Sequence, residues 1–120
     1  MPDILKCRVE DCHVLKYQVP SPGVSEGDMG LLGNGTVYAW LEDYATGDIG
    51  VKVLEAERIT LPAASAAVFA IGDKVFFDTG TLNLNATGGG RYRCGTALAA
   101  KAALELTVFV DFHGNNAVAV

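Results

Sequence analysis

An all-β fold, a small barrel or sandwich of short strands with one or two short helical turns, is predicted by three observations. Apolar residues recur with a period of two, turn-forming residues interrupt them at short intervals, and helical periodicity is confined to two alanine-rich pieces. In chain order, Val14-Leu15-Lys16-Tyr17-Gln18-Val19 reads as a strand stopped by Pro20-Ser21-Pro22-Gly23. Val37 to Leu41 follows Gly33-Asn34-Gly35, a tight-turn signal because Asn and Gly both tolerate positive φ. Ile49, Val51 and Val53 alternate with Gly50 and Lys52, which places one face inside and one in water. Lys74-Val75-Phe76-Phe77 is a strand between Gly72-Asp73 and Asp78-Thr79-Gly80. Last comes the longest alternation, in which Leu104, Leu106, Val108, Val110 and Phe112 share one predicted buried face. The two alanine-rich pieces, Ala63 to Phe69 after Pro62 and Ala97 to Leu104, are the places for helical turns.

The 120 residues suffice for one domain with its own core, here expected over residues 14–120. Residues 1–13 read as an N-terminal arm or an edge strand, because Met1 to Asp11 mixes charges with isolated apolar residues. The expectation is an arm poorly ordered in the free protein and ordered on a partner. Half of the residues are hydrophobic and 19% charged, which excludes a disordered tail. Nine Lys and Arg against fourteen Asp and Glu argue against nucleic acid as a partner, since a phosphate backbone demands a cationic surface. The longest weakly polar stretch, Leu61 to Gly72, is too short to cross a bilayer, so no membrane partner is expected. Asp3, Lys6, Arg8, Glu10 and Asp11 interrupt any signal-like apolar core. Together these features predict a soluble protein made inside the cell.

Three cysteines, Cys7, Cys12 and Cys94, fit free thiols better than a disulfide framework. Cys7, Cys12 and His13, with Cys94 and His113 as remote candidates, make one loose metal knuckle and no second, so no metal is expected. Phe76-Phe77-Asp78-Thr79-Gly80-Thr81 resembles the fingerprint of aspartic proteases, in which a dimer shares one proton between two aspartates. Asp78 lies about two-thirds along the chain, however, and too little follows for a flap and closing strands; a β-turn at a strand end explains it. Gly88-Gly89-Gly90-Arg91 lacks the Lys-Ser/Thr of a phosphate loop and reads as a connecting loop. Ser65 is not at a nucleophile elbow. Glu55, Glu57 and Arg58 read as a solvated face. Trp40 and the four tyrosines are too dispersed in sequence for a stacking platform. The residues thus point to no catalytic site and no cofactor. A homodimeric aspartic protease, or a β-barrel ligand- or receptor-binding module using Trp40 and Tyr38, are the alternatives.

Leu61-Pro62, the alanines after it, and Val68-Phe69-Ala70-Ile71-Gly72-Asp73-Lys74-Val75-Phe76-Phe77-Asp78 carry a pattern. With Pro20 to Asp28, Gly47 to Val53, Cys94-Gly95-Thr96-Ala97 and the closing strand through Phe112, that pattern resembles the capsid decoration or cement proteins of tailed phages and prophages. Ala63 stands where many members have lysine, and Met1 to Cys12 is longer than their usual start. The resemblance implies a non-catalytic, β-rich structural protein without cofactor or metal. It would sit on the outer capsid surface of the virion after synthesis in the host cytoplasm, stabilising the shell by bridging subunits of the major capsid protein. By analogy with lambda-type decoration proteins it implies trimers, with dimers the alternative. The candidate capsid-binding residues are Ile4, Leu5 and Val9 in the arm.

Overall fold

The period-two segments pair into one antiparallel sheet in a computed structural model that describes residues 12–120. Its strands are β1 (Cys12–Gln18), β2 (Met29–Leu31), β3 (Val37–Trp40), β4 (Ile49–Pro62), β5 (Lys74–Asp78), β6 (Asn83–Asn85), β7 (Tyr92–Ala97), β8 (Thr107–His113) and β9 (Val118–Ala119). The main path is β2-β3-β4-β8-β7-β5-β6, with β1 on β4 and β9 on β7. The path nearly closes on itself. Ala63, just past β4, bridges Leu84 of β6, and the Ala64 N–H donates to the Leu84 carbonyl at 2.8 Å.

The 14-residue strand β4 organises the whole. Its first half pairs with β1 along Ile49 to Ala56 and touches β3 at Val53 and Lys52; its second half pairs with β8. The register shifts between Ala56 and Ile59, so Glu57 and Arg58 are bulged out into solvent while Ala56, Ile59 and Leu61 all face inward. Those three lie opposite Phe112, Val110 and Val108 of β8. With Val75, Phe77, Leu84, Cys94, Ala97 and Phe69 they fill the barrel, and Met29, Val37, Ala39 and Val53 continue the core beneath β2 and β3. The chain leaves β8 through a 3-10 turn at Gly114–Asn116, where a Cβ on Gly114 would collide with the Val37 carbonyl; only glycine lets the two backbones approach so closely.

Several expectations hold and several are corrected. The Asn34-Gly35 turn joins β2 to β3, with the Asn34 side chain accepting from the Thr36 N–H at 3.1 Å and Gly35 at φ 90°. Neither alanine-rich piece is helical. Residues 63–69 and 97–104 are extended segments and turns that pair with each other, and the short helical turn forms instead at Gly114–Asn116. The last strand begins at Thr107 rather than Leu104: Leu104 adopts φ 77°, which breaks the pleat and turns Leu104 and Leu106 out of the predicted buried face. The reading of Met1 to Asp11 as an arm lies outside the described residues.

Candidate functional site

Two surfaces stand out, and both display apolar side chains rather than a reactive group. The first is a lobe in which residues 63–73 and 97–106 run antiparallel. Backbone hydrogen bonds stitch it at Ala63 to Leu106, Ser65 to Leu104, Phe69 to Lys101 (both directions) and Gly72 to Ala97. Lys101 fastens it from within. The side chain is 2% exposed, and its ammonium donates to the carbonyls of Ala67 (2.5 Å), Ala102 (3.1 Å) and Ser65 (3.4 Å). Three donors meet three acceptors, which is the full capacity of an ammonium group. Val68, Ile71, Leu98, Leu104 and Leu106 of this lobe project into solvent, Leu104 at 82% exposure.

The second surface is β1. Val14 to Gln18 are exposed on both faces, and among the described residues β1 is hydrogen-bonded only to β4. Val14, Leu15 and Tyr17 therefore lie in water on a strand whose other edge is unpaired among those residues. Behind it the sheet holds an aromatic cluster. The Lys52 ammonium lies 3.8 Å from the Tyr17 ring centroid, 3.9 Å from Tyr38 and 5.1 Å from Trp40. Trp40 makes edge contacts with Tyr38 and Tyr44, and a side chain at Gly50 would strike Trp40, Tyr44 and Val19. Burial lowers the Lys52 pKa; burial first, then Tyr17 and Asp28, raises that of Tyr38. The tyrosines are not all dispersed in space: Tyr17, Tyr38 and Tyr44 gather with Trp40, while Tyr92 lies on β7. Nor is Trp40 an exposed platform, since it is 4% exposed and its ring faces Lys52. Tyr38 and Trp40 alternate with buried Val37 and Ala39, and Gly50 and Lys52 with Val51 and Val53; that alternation was the available signal.

The candidates for chemistry are occupied by structure. Asp78 Oδ1 accepts from the N–H groups of Gly80 (2.7 Å) and Thr81 (3.2 Å), and Oδ2 from Arg91 Nε at 2.8 Å. Arg91 also donates to the Thr87 carbonyl and hydroxyl, both at 2.9 Å, and so fixes the loop carrying Gly88-Gly89-Gly90. The Arg91 bond and then the turn amides hold the Asp78 carboxyl below its usual 3.8. A dyad aspartate would share a proton with a second carboxylate; this one caps a turn. Its folded pKa is depressed, so its contribution exists above pH 3.8 and is lost as pH falls through the folded value. Asp78→Asn should accordingly lower the melting temperature by only a few degrees at neutral pH and flatten its decline in acid. Thermal melts between pH 2.5 and 7 check this, and peptidase activity lost in the variant would contradict it.

Lys74, Arg93, Cys94, Gly95, Thr96, His113 and Asn116 line a cleft of about 170 Å³. It holds no Cys–His nucleophile. The Cys94 thiol is turned to the Val75 carbonyl in the core and burial pushes it up to about 12. His113 contacts Asp111 (3.0 Å) and Glu55 (3.5 Å). Glu26, 6% exposed, has both carboxylate oxygens without a hydrogen-bond partner among the described residues, while its N–H donates to Asp43. No group of three or more His, Cys, Asp or Glu among the described residues could hold a metal ion. Ile4, Leu5 and Val9, the sequence candidates for capsid binding, lie outside the described residues, as does Cys7. Sequence reasoning missed Lys101 and the lobe: an alanine-rich run does not announce that it will be folded against a second one.

Compared with known proteins, residues 9–112 match the model of a family described as phage cement protein. No curated protein matches the chain.

Proposed function

The chain belongs to the phage cement protein family, which gives it a structural role on the phage capsid, and from that premise we propose a finer reading. The protein binds the outer surface of the shell and stabilises it by bridging neighbouring subunits of the major capsid protein. It acts without catalysis or cofactor, as associated copies, after synthesis in the host cytoplasm.

The observation that carries this reading is strand β1, exposed on both faces and with its outer edge unpaired among the described residues. Natural sheets cover or charge such edges because they pair with other chains, and β1 offers one lysine, Lys16, against Val14, Leu15 and Tyr17. An open strand edge is suited to strand addition on a partner sheet, where main-chain bonds give affinity and alternate side chains give register. Ile4, Leu5 and Val9 precede it in the sequence. A clip touching two subunits gains from effective concentration, so each contact need be only modest in strength.

Titration of the purified full chain onto undecorated heads and onto dissociated capsid subunits tests the reading. Bridging predicts saturable binding to heads that is about 100-fold tighter than to free subunits, and heads that disrupt at higher temperature once decorated. Equal affinities would remove bridging, and no binding to heads would remove the reading itself.

A further inference from the structure

We propose that Lys16 sets the pairing specificity of the β1 edge: it turns away a second copy of β1 and admits an extended segment carrying an Asp or Glu in register with it. This rests on the capsid reading above, and within that reading it names the chemistry of the capsid segment that β1 receives.

The hydrogen bonds fix which main-chain groups of β1 face outward. The Val19 N–H donates to the Asp48 carbonyl and the Val19 carbonyl accepts from the Gly47 N–H, so Val19 bonds toward the β4 side. Bonding direction alternates along an antiparallel strand, so Leu15 and Tyr17 bond toward β4 as well. Val51, the residue opposite Lys16, turns its carbonyl the other way and accepts from the Leu41 N–H, as that alternation requires. Val14, Lys16 and Gln18 therefore present their N–H and carbonyl groups at the outer edge, with Lys16 in the middle.

The side chain of Lys16 lies on the face that continues into the core. Residues directly opposite share a face, and Lys16 stands opposite Val51 while Val14 stands opposite the fully buried Val53. A charge on the inner face of an edge strand is one of the devices by which natural sheets refuse unwanted pairing. Lys16 is exposed, and the ion pairs among the described residues join Arg91 to Asp78 and His113 to Asp111 and Glu55, so its ammonium is unmatched among them. Leu15 and Tyr17 occupy the opposite face, beside Lys52.

This arrangement selects the occupant. Two copies of β1 paired antiparallel along the whole of Val14 to Gln18 would set Lys16 against Lys16, with Cβ atoms about 5 Å apart. Covering two like charges on an inner face opposes that pairing. A segment with a carboxylate at the same position meets the lysine with opposite sign, and apolar residues on either side of it meet Leu15 and Tyr17. The segment that fits therefore reads apolar, acidic, apolar, and it binds by adding a strand.

The test is sedimentation of the full chain as wild type, as Lys16→Val, as Lys16→Glu, and as a mixture of wild type with Lys16→Glu, beside titration of each onto undecorated heads. Lys16→Val should self-associate at a concentration about tenfold below that of wild type. Wild type should pair with Lys16→Glu, although Lys16→Glu alone gains no self-association, and added salt should weaken the mixed pair. Lys16→Glu should bind heads about tenfold more weakly or worse, with every melting temperature within a few degrees of wild type. Unchanged self-association of Lys16→Val, or no pairing in the mixture, would overturn the proposal. Binding of Lys16→Glu to heads as tight as that of wild type would overturn it too. Heads that bind none of the three proteins would remove the capsid reading, and the mixture would still decide the role of Lys16.

Discussion

Lys101→Met is expected to reduce the unfolding free energy by about 3 kcal/mol, with a fall in melting temperature of roughly 10–15 °C. The methionine nearly matches lysine in length, so the change is chiefly one of hydrogen bonding. Removing the ammonium leaves the carbonyls of Ser65, Ala67 and Ala102 facing an apolar chain, and each abandoned acceptor costs about 1–3 kcal/mol. Relief from desolvating a charge offsets part of that loss, which is why the sum is not larger. Lys101→Arg restores the charge but not the fit, because a planar fork cannot point three hydrogens at three converging carbonyls. It should recover less than half of the stability. Denaturant melts give the magnitude. Amide hydrogen exchange gives the place: protection should fall first at the amides of Phe69, Gly72, Lys101 and Leu104, which bond across the lobe. A change below 1 kcal/mol would mean that the ammonium is replaceable and that the lobe is held by its backbone bonds alone.

The same residues explain what the sequence made legible. Alternation located β1, β3 and β5, because each of these presents one side to the core or carries a sharp turn beside it. It placed a strand at the start of β4 but not its faces: Ile49, expected inside, is 65% exposed, while Gly50 and Lys52, expected in water, are buried, Lys52 against the rings of Tyr17 and Tyr38. It failed at Leu104 and Leu106, whose spacing continues that of Val108, Val110 and Phe112 although they are solvent-exposed. Period two reports what a strand would bury, and a single residue at positive φ ends the strand without changing the pattern. The alanine-rich pieces looked helical because alanine favours helix locally, yet the hydrogen bonds that decide the matter join positions 25 to 43 residues apart. β6 is three residues with one apolar centre, Leu84, too little for any periodic signal. The aromatic cluster draws on Tyr17, Tyr38, Trp40, Tyr44 and Lys52, so only pairing of β1, β3 and β4 brings it together. Asp78 was legible as a turn cap, because the Asp-Thr-Gly chemistry that suits catalysis also suits a strand end.

Deleting residues 1–11 is expected to weaken attachment to heads by about 100-fold or more, while the melting temperature stays within a few degrees of the full chain. The deletion spares β1, which starts at Cys12 and remains paired with β4 from Ile49 to Ala56. It also spares the barrel core, whose buried side chains lie between Met29 and Phe112. What it removes is Ile4, Leu5 and Val9, each worth about 1.5–3 kcal/mol if fully buried on a capsid subunit. Fixing an extended chain on a partner costs about 1–2 kcal/mol per residue, so the apolar anchors must be helped by main-chain pairing along most of the segment. The surplus is therefore small beside the gross terms, and a loss of about 100-fold corresponds to about 2.7 kcal/mol of it. Ile4→Asp with Val9→Asp should reproduce most of the loss, since the main chain stays and only the anchors go. Unfolding of the truncated protein would make the segment an integral part of the fold. Unchanged affinity for heads would make it a passive tail and shift the whole of the capsid contact onto Val14, Leu15 and Tyr17 of β1.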